Sequence, residues 1–177
     1  MVGKMKENSK YLLHRIVFGA AVAALVFVGT FFFKIPTPVG YIHLGDGFIY
    51  AAAVILPIPV SAVAAAVGGG LSDLISGFPA WIAPTVVIKA LSTLLFRRKS
   101  HRLLCGRNLL ALGFGVVCNI AGYYLFGSAI QGNLTACLVE IPLNLLQEAA
   151  GCAIFLVFAG ILDANPKLRE FFISKVN

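Results

Sequence analysis

Charged side chains are scarce in this sequence: 12% of its 177 residues, against 59% that are apolar. An ordinary soluble domain carries about 25% charge. A water-soluble coat cannot be assembled from so few polar groups, so lipid is the expected solvent for much of the surface. Backbone groups in lipid must pair with one another, which leaves helices or a closed barrel. Period-two alternation is missing from the apolar runs, and this excludes the barrel. Chemical motifs are missing too. There is no HExxH, GxSxG or P-loop, and the three histidines (His14, His43, His101) are far apart. A metal hydrolase or a self-sufficient ATPase is therefore not expected, and no enzyme activity, metal or cofactor is assigned. The four cysteines (Cys105, Cys118, Cys137, Cys152) form no CxxC pair and read as small buried hydrophobes. No cleavable signal peptide is discernible, because the first apolar run is of full spanning length.

What is present is a series of apolar segments separated by prolines, glycines and basic clusters. They fall at about 13–33, 42–56, 60–76, 80–96, 109–127 and 134–162, with a loop at 37–44, a turn at 77–81 and a mixed-charge tail expected to be soluble. The second is short, and charge settles its assignment. With six spans, the N-terminus, the basic stretch Arg97, Arg98, Lys99, His101, Arg102 and Arg107, and the C-terminal tail share one side. That side then holds twelve of the fourteen Lys and Arg residues. Five spans would place the 97–107 loop opposite the N-terminus, against the positive-inside rule. The expectation is an all-α membrane protein: one domain over residues 1–177, a bundle of six transmembrane helices with N- and C-termini both cytoplasmic. The net charge of +7 is read as topology-setting, with no nucleic-acid partner.

Ionisable groups inside spans face a bundle interior or a cavity. Here they are Lys89 in the fourth span and Glu140 and Glu148 in the sixth. Depth along the helices places Lys89 and Glu140 at a similar level, where they can pair. Glu140, Asn144 and Gln147 share one face at i, i+4 and i+7, and Pro142 suggests a local kink. Asn119, Tyr123 and Tyr124 of the fifth span and Trp81 at the mouth of the fourth complete a candidate pocket of rings and converging polar groups. A self-satisfied polar network is the alternative, and for Asn119 alone it is preferred. Asp46, His43 and Asp73 sit near span ends, where a helix cap or a hydrated carboxylate explains them equally. Trp81, Tyr41 and Tyr50 are explained equally as ordinary interfacial anchors. Small residues at 19/23 and 20/24 in the first span suit either internal packing or a face kept for another subunit. A standalone channel or exporter using Lys89 and the two glutamates is the competing functional reading.

The stretches YIHLGDGFIY (41–50) and GGGLSDLISGFPAWIAPTVVIKA (68–90) resemble the substrate-binding S components of energy-coupling factor (ECF) vitamin importers, nearest the riboflavin-transporter-like group. The resemblance implies a subunit of the bacterial plasma membrane that binds a vitamin at the outer side. It then docks on a transmembrane coupling subunit driven by two cytoplasmic ATPases. Docking would use an AxxxA motif in the first helix, matched here by Ala20 and Ala24. The pocket would lie in the outer halves of helices four to six and the outer loops. Pyridoxine, hydroxymethylpyrimidine or another thiamine-related compound, pantothenate and a riboflavin-like molecule all remain open as ligands.

Overall fold

The computed structural model describes residues 2–38, 40–98 and 102–175; Lys99 and His101 of the basic stretch fall outside them. Helix α1 (Val2–Phe31) starts well before the expected span and stops ahead of Lys34, Pro36 and Pro38. The loop that follows contains a feature the sequence did not signal, a two-stranded antiparallel pair, β1 (Ile35–Pro36) and β2 (Tyr41–Ile42). Proline is tolerated there because each strand has a free edge. Helix α2 (Gly45–Ile55) ends before Pro57, and α3 (Ile58–Ile75) begins with Pro59 in its first turn, where a missing N–H leaves no bond unmade. Gly77, at φ +81°, reverses the chain. A 3-10 turn (Pro79–Trp81) leads into α4 (Ile82–Leu91), and α5 (Gly106–Gln131) closes on Gly132 in the left-handed conformation. A second 3-10 turn (Ala136–Val139) precedes α6 (Glu140–Ala164), so Pro142 falls in a first turn, where its missing N–H leaves no helical bond unmade. The tail is not a loose extension: Pro166–Lys175 forms α7, whose Phe172 meets Phe18 of α1 edge-on.

The chain is thus an all-α membrane protein with one very small sheet. Among the described residues, four helical stretches are long and apolar enough to cross a membrane: Tyr11–Phe31, Ile58–Ile75, Gly106–Gln131 and Ala136–Ala164. The other two apolar segments form shorter helices, Gly45–Ile55 and Pro79–Leu91. Helix α2 rises only about 16 Å, short of a hydrocarbon core of about 30 Å. Its burial explains how it is accommodated. Ten of its eleven residues are buried, packed chiefly against α1 and α6, so it needs no lipid contact of its own. The long helices do the opposite and turn leucine and valine outward, with Leu110 78% and Val157 64% exposed.

Close backbone approach holds the bundle together, as expected where the hydrophobic effect does not drive helices towards each other. A Cβ on Gly68 of α3 would lie 2.6 Å from the carbonyl oxygen of Ala23 in α1. A Cβ on Gly19 would come within 2.9 Å of Val60. The 19/23 face of α1 is therefore internal packing against α3, whereas Ala20 and Ala24 remain exposed. At the basic end, Asp163 of α6 accepts the backbone N–H groups of Leu103 and Leu104 at 2.7 and 2.9 Å and pairs with Arg169 of α7. Asn108 ties the same loop to itself through Arg97 and Leu103.

Replacing Gly68 with Val should overpack the α1–α3 contact and destabilise the protein by about 1–3 kcal/mol. Gly113→Ala, where a Cβ would meet nothing within 4 Å, should be neutral or mildly stabilising. Thermal-shift measurements on the two purified variants in the same detergent compare them directly; equal melting temperatures would contradict the packing described.

Candidate functional site

One end of the bundle is polar. There the C-terminal turns of α1 and α3, the start of α2, the first turns of α4 and α6 and the later half of α5 converge. Between them is a narrow cleft, with about 40 Å³ of room for water-sized molecules within about 510 Å³ of empty space that includes open solvent at its mouth. Its aromatic walls are Tyr41, Phe78, Trp81 and Tyr123; its polar groups are Thr30, His43, Asp73, Thr85, Glu140, Asn144 and Gln147. Trp81 and Tyr123 face each other with centroids 5.8 Å apart, and Tyr41 lies 5.5 Å from Phe78. Tyr123 and Thr85 share a hydroxyl–hydroxyl bond of 3.1 Å.

The loop carrying β1 and β2 is tied across this cleft at three points. Thr37 donates its hydroxyl to Glu140 at 3.1 Å, Tyr41 donates to Asp73 at 2.6 Å, and the backbone N–H of His43 donates to Gln147 at 2.9 Å. Burial and the adjacent Asp73 carboxylate push the Tyr41 phenol well above its usual range, so it acts as a donor. Burial holds His43 down to about 4, overcoming the opposite pull of Asp46. Its Nδ1 accepts the Gly45 N–H at 3.1 Å. The 4.0 Å approach of that nitrogen to Asp46 is thus a contact of a neutral ring, not an ion pair.

Below the cleft is a second polar layer, a network of the kind weighed as the alternative, with a partner from α2 that the sequence did not reveal. Lys89 of α4 donates to Asp46 of α2 at 2.6 Å and to Asn119 of α5 at 2.7 Å. Gln147 of α6 donates to the other Asp46 oxygen at 2.7 Å. Asn119 in turn donates to Ser92 at 3.0 Å and to Tyr50, and Tyr50 donates to Glu148 of α6. Lys89 and Asp46 are each 1% exposed, and the ammonium also stands 4.9 Å from the Tyr123 ring.

These contacts correct several expectations. Lys89 does not pair with Glu140; its partner is Asp46, which reaches the same depth because α2 is buried whole. Lys89 and Asn119 do not line the cleft but brace the helices beneath it, Asn119 in the structural role preferred for it. Asp46 is not a surface cap, and Asp73 does not stand in the open at a span end: both are buried. Tyr50 is no interfacial anchor, since it is completely buried against Phe96. Tyr41 lines the cleft, and Tyr124 does not. Glu140, Asn144, Gln147, Tyr123, Trp81, His43 and Asp73 are brought together in the cleft as one constellation. Thr30, Thr85 and Phe78 were not anticipated. Phe78 had a signal, since an aromatic beside the Gly77 turn sits at the same end as Trp81; Thr30, in an apolar helix end, had none.

Comparison with known proteins decides the family. The family model described as "ECF-type riboflavin transporter, S component" matches residues 10–164. This chain belongs to that family. It is therefore a non-catalytic, substrate-binding subunit of a vitamin transporter in a multi-pass membrane setting. A protein of Pyrococcus woesei described as "Uncharacterized protein in gap 3'region" is 31% identical over 134 residues, covering 73% of this chain and 88% of that protein.

Removing one member of a buried ion pair strands the other, at about 3–5 kcal/mol. Lys89→Ala should therefore lower the melting temperature sharply. Lys89→Met combined with Asp46→Leu should recover much of the loss. A double-mutant cycle by thermal denaturation gives the coupling; additive losses would show that the pair is not coupled as drawn.

Proposed function

We propose that this S component captures a small, planar, non-anionic vitamin or vitamin precursor at the outer face of the membrane for ATP-driven uptake. The observation that carries the reading is the aromatic-walled cleft at the end of the bundle opposite Arg97, Arg98, Arg102 and Arg107. By the positive-inside rule that basic end is cytoplasmic, which supports six crossings with both termini inside and a cleft that opens outward. The short α2 and α4 then act as partial crossings completed by the loops around them.

Binding would run through Trp81, Tyr123, Asp73, Glu140, Asn144, Gln147 and His43, with Lys89, Asp46 and Asn119 holding the floor. The engagement of Lys89 narrows the ligand. A carboxylate such as that of pantothenate would need a cation in the cleft, and none of the lining residues is Lys or Arg. Pyridoxine, hydroxymethylpyrimidine-like and riboflavin-like rings fit the walls better. The floor also counts against a channel, because Tyr50, Phe96 and Phe155 pack ring against ring beneath the cleft.

The exposed Ala20 and Ala24 supply a flat strip on α1 for a transmembrane coupling subunit, itself driven by two cytoplasmic ATPases. Native mass spectrometry of the detergent-purified protein should show a co-purifying small molecule near one-to-one. Glu140→Ala and Asn144→Ala should each weaken its binding by about 1–3 kcal/mol, the scale for stranding a buried polar partner. Ala24→Trp should leave binding intact and abolish uptake into cells that express the coupling subunits. Uptake unchanged in Ala24→Trp would remove the docking role from this face; flux through the isolated protein in liposomes would favour the channel.

A further inference from the structure

Two of the cleft's polar atoms have no partner. Asp73 is 5% exposed and Thr30 is 2% exposed, and both line the cleft. Tyr41 donates to Asp73 Oδ1 and the Thr85 hydroxyl lies close to the same carboxylate, yet Oδ2 is buried with no hydrogen bond of good geometry. Thr30 Oγ1 is likewise buried and unbonded. Buried polar atoms are usually paired, so an unbonded one marks a place where a partner is expected. Elsewhere in the same region the accounting is close: both oxygens of Asp46, both sides of the Asn119 amide and both ends of the Gln147 amide are satisfied. Glu148 Oε1 and Ser128 Oγ are unbonded as well, but Asp73 Oδ2 and Thr30 Oγ1 are the ones whose residues line the cleft.

We infer that Asp73 is the specificity-determining acceptor of this cleft, taking an N–H or O–H from a ring-bearing ligand through Oδ2, with Thr30 Oγ1 as a second polar contact. The inference rests on the cleft being the substrate site. The chemistry follows from the donor and acceptor inventory. A carboxylate oxygen that carries no proton accepts, so it selects a donor, and it disfavours an anion beside it. Tyr41 fixes Oδ1 and with it the plane of the carboxylate, leaving Oδ2 for the ligand. Phe78 and Trp81, on the turn just after Asp73, provide faces against which a planar ring stacks. A neutral ring with an imide N–H and a protonated or amino-bearing ring both satisfy this requirement; a carboxylate-bearing molecule does not.

The test uses the full chain in detergent and four probes: riboflavin (neutral, imide N–H), pyridoxine (hydroxyl and ring donor), thiamine (cationic, amino group) and pantothenate (anionic). Affinities are read by isothermal titration for the wild type, Asp73→Asn, Thr30→Val and Asn144→Ala. Asp73→Asn keeps an acceptor for Tyr41 but can present an amide donor where Oδ2 stood. The expected result is that at least one donor-bearing probe binds the wild type, that pantothenate does not, and that Asp73→Asn weakens the bound probe at least tenfold. Thr30→Val should weaken it about threefold and keeps the inference testable if Asp73→Asn fails to fold. Which probe binds separates a neutral from a cationic donor. Affinity within twofold of wild type in both variants, with Asn144→Ala still impaired, would overturn the assignment of Asp73 while leaving the cleft as the site. Preference for pantothenate would overturn it as well. No binding by any probe would overturn both the inference and the reading of the cleft.

Discussion

The ion pair between Lys89 and Asp46 is the constraint around which the rest of the molecule is arranged. A lone ammonium or carboxylate at this depth is expensive in a membrane protein. Each is tolerable here because the other is 2.6 Å away and the remaining valences are filled by Asn119 and Gln147. Those four residues come from α4, α2, α5 and α6. One satisfied charge pair therefore fixes the relative depth and rotation of four helices at once. Apolar packing alone, which has no strong directional preference in lipid, would not set that register.

The shortness of α2 follows from the same requirement. A full-length helix facing lipid could not carry Asp46 in its first turn at the depth of Lys89. An eleven-residue helix buried among its neighbours can, and the glycines around it permit the approach. Gly45 leaves room for Thr30, where a Cβ would stand 2.0 Å from the hydroxyl, and Gly151 of α6 accommodates Asp46 itself at 3.2 Å. The acidic side chain in the first turn is also favoured by the helix dipole. The short helix, the glycines and the ion pair are thus one solution to one problem.

The fold was legible where the signal was compositional. Apolar runs, proline stops and basic clusters located all six apolar helices to within a few residues at most of their ends. Side-chain partners were not legible, and the reason is geometric. Pairing Lys89 with Glu140 assumed that both helices start at one level and cross the membrane straight. A 3-10 turn before Glu140 and the inward placement of α2 changed the comparison, so a residue read as interfacial, Asp46, reached the lysine instead. The hairpin of β1 and β2 was invisible because two-residue strands leave no period to detect. Thr30 was invisible because one hydroxyl at the end of an apolar helix resembles any other.

The two polar layers differ in completeness, and that difference separates architecture from recognition. In the lower layer almost every donor meets an acceptor inside the protein; Glu148 Oε1 is the exception. In the upper layer, paired rings wall the cleft, while Asp73 and Thr30 retain unbonded atoms. A complete network gains nothing from a ligand, since any new contact must first break an old one. An incomplete one is stabilised by whatever supplies the missing donors. The lower layer can thus hold four helices in place whether or not the cleft is filled, and the upper layer can couple its own order to occupancy. The loop that covers the cleft is bound through Tyr41 to the same carboxylate whose second oxygen is vacant. A donor on Oδ2 and the loop's tie at Oδ1 therefore act on one side chain.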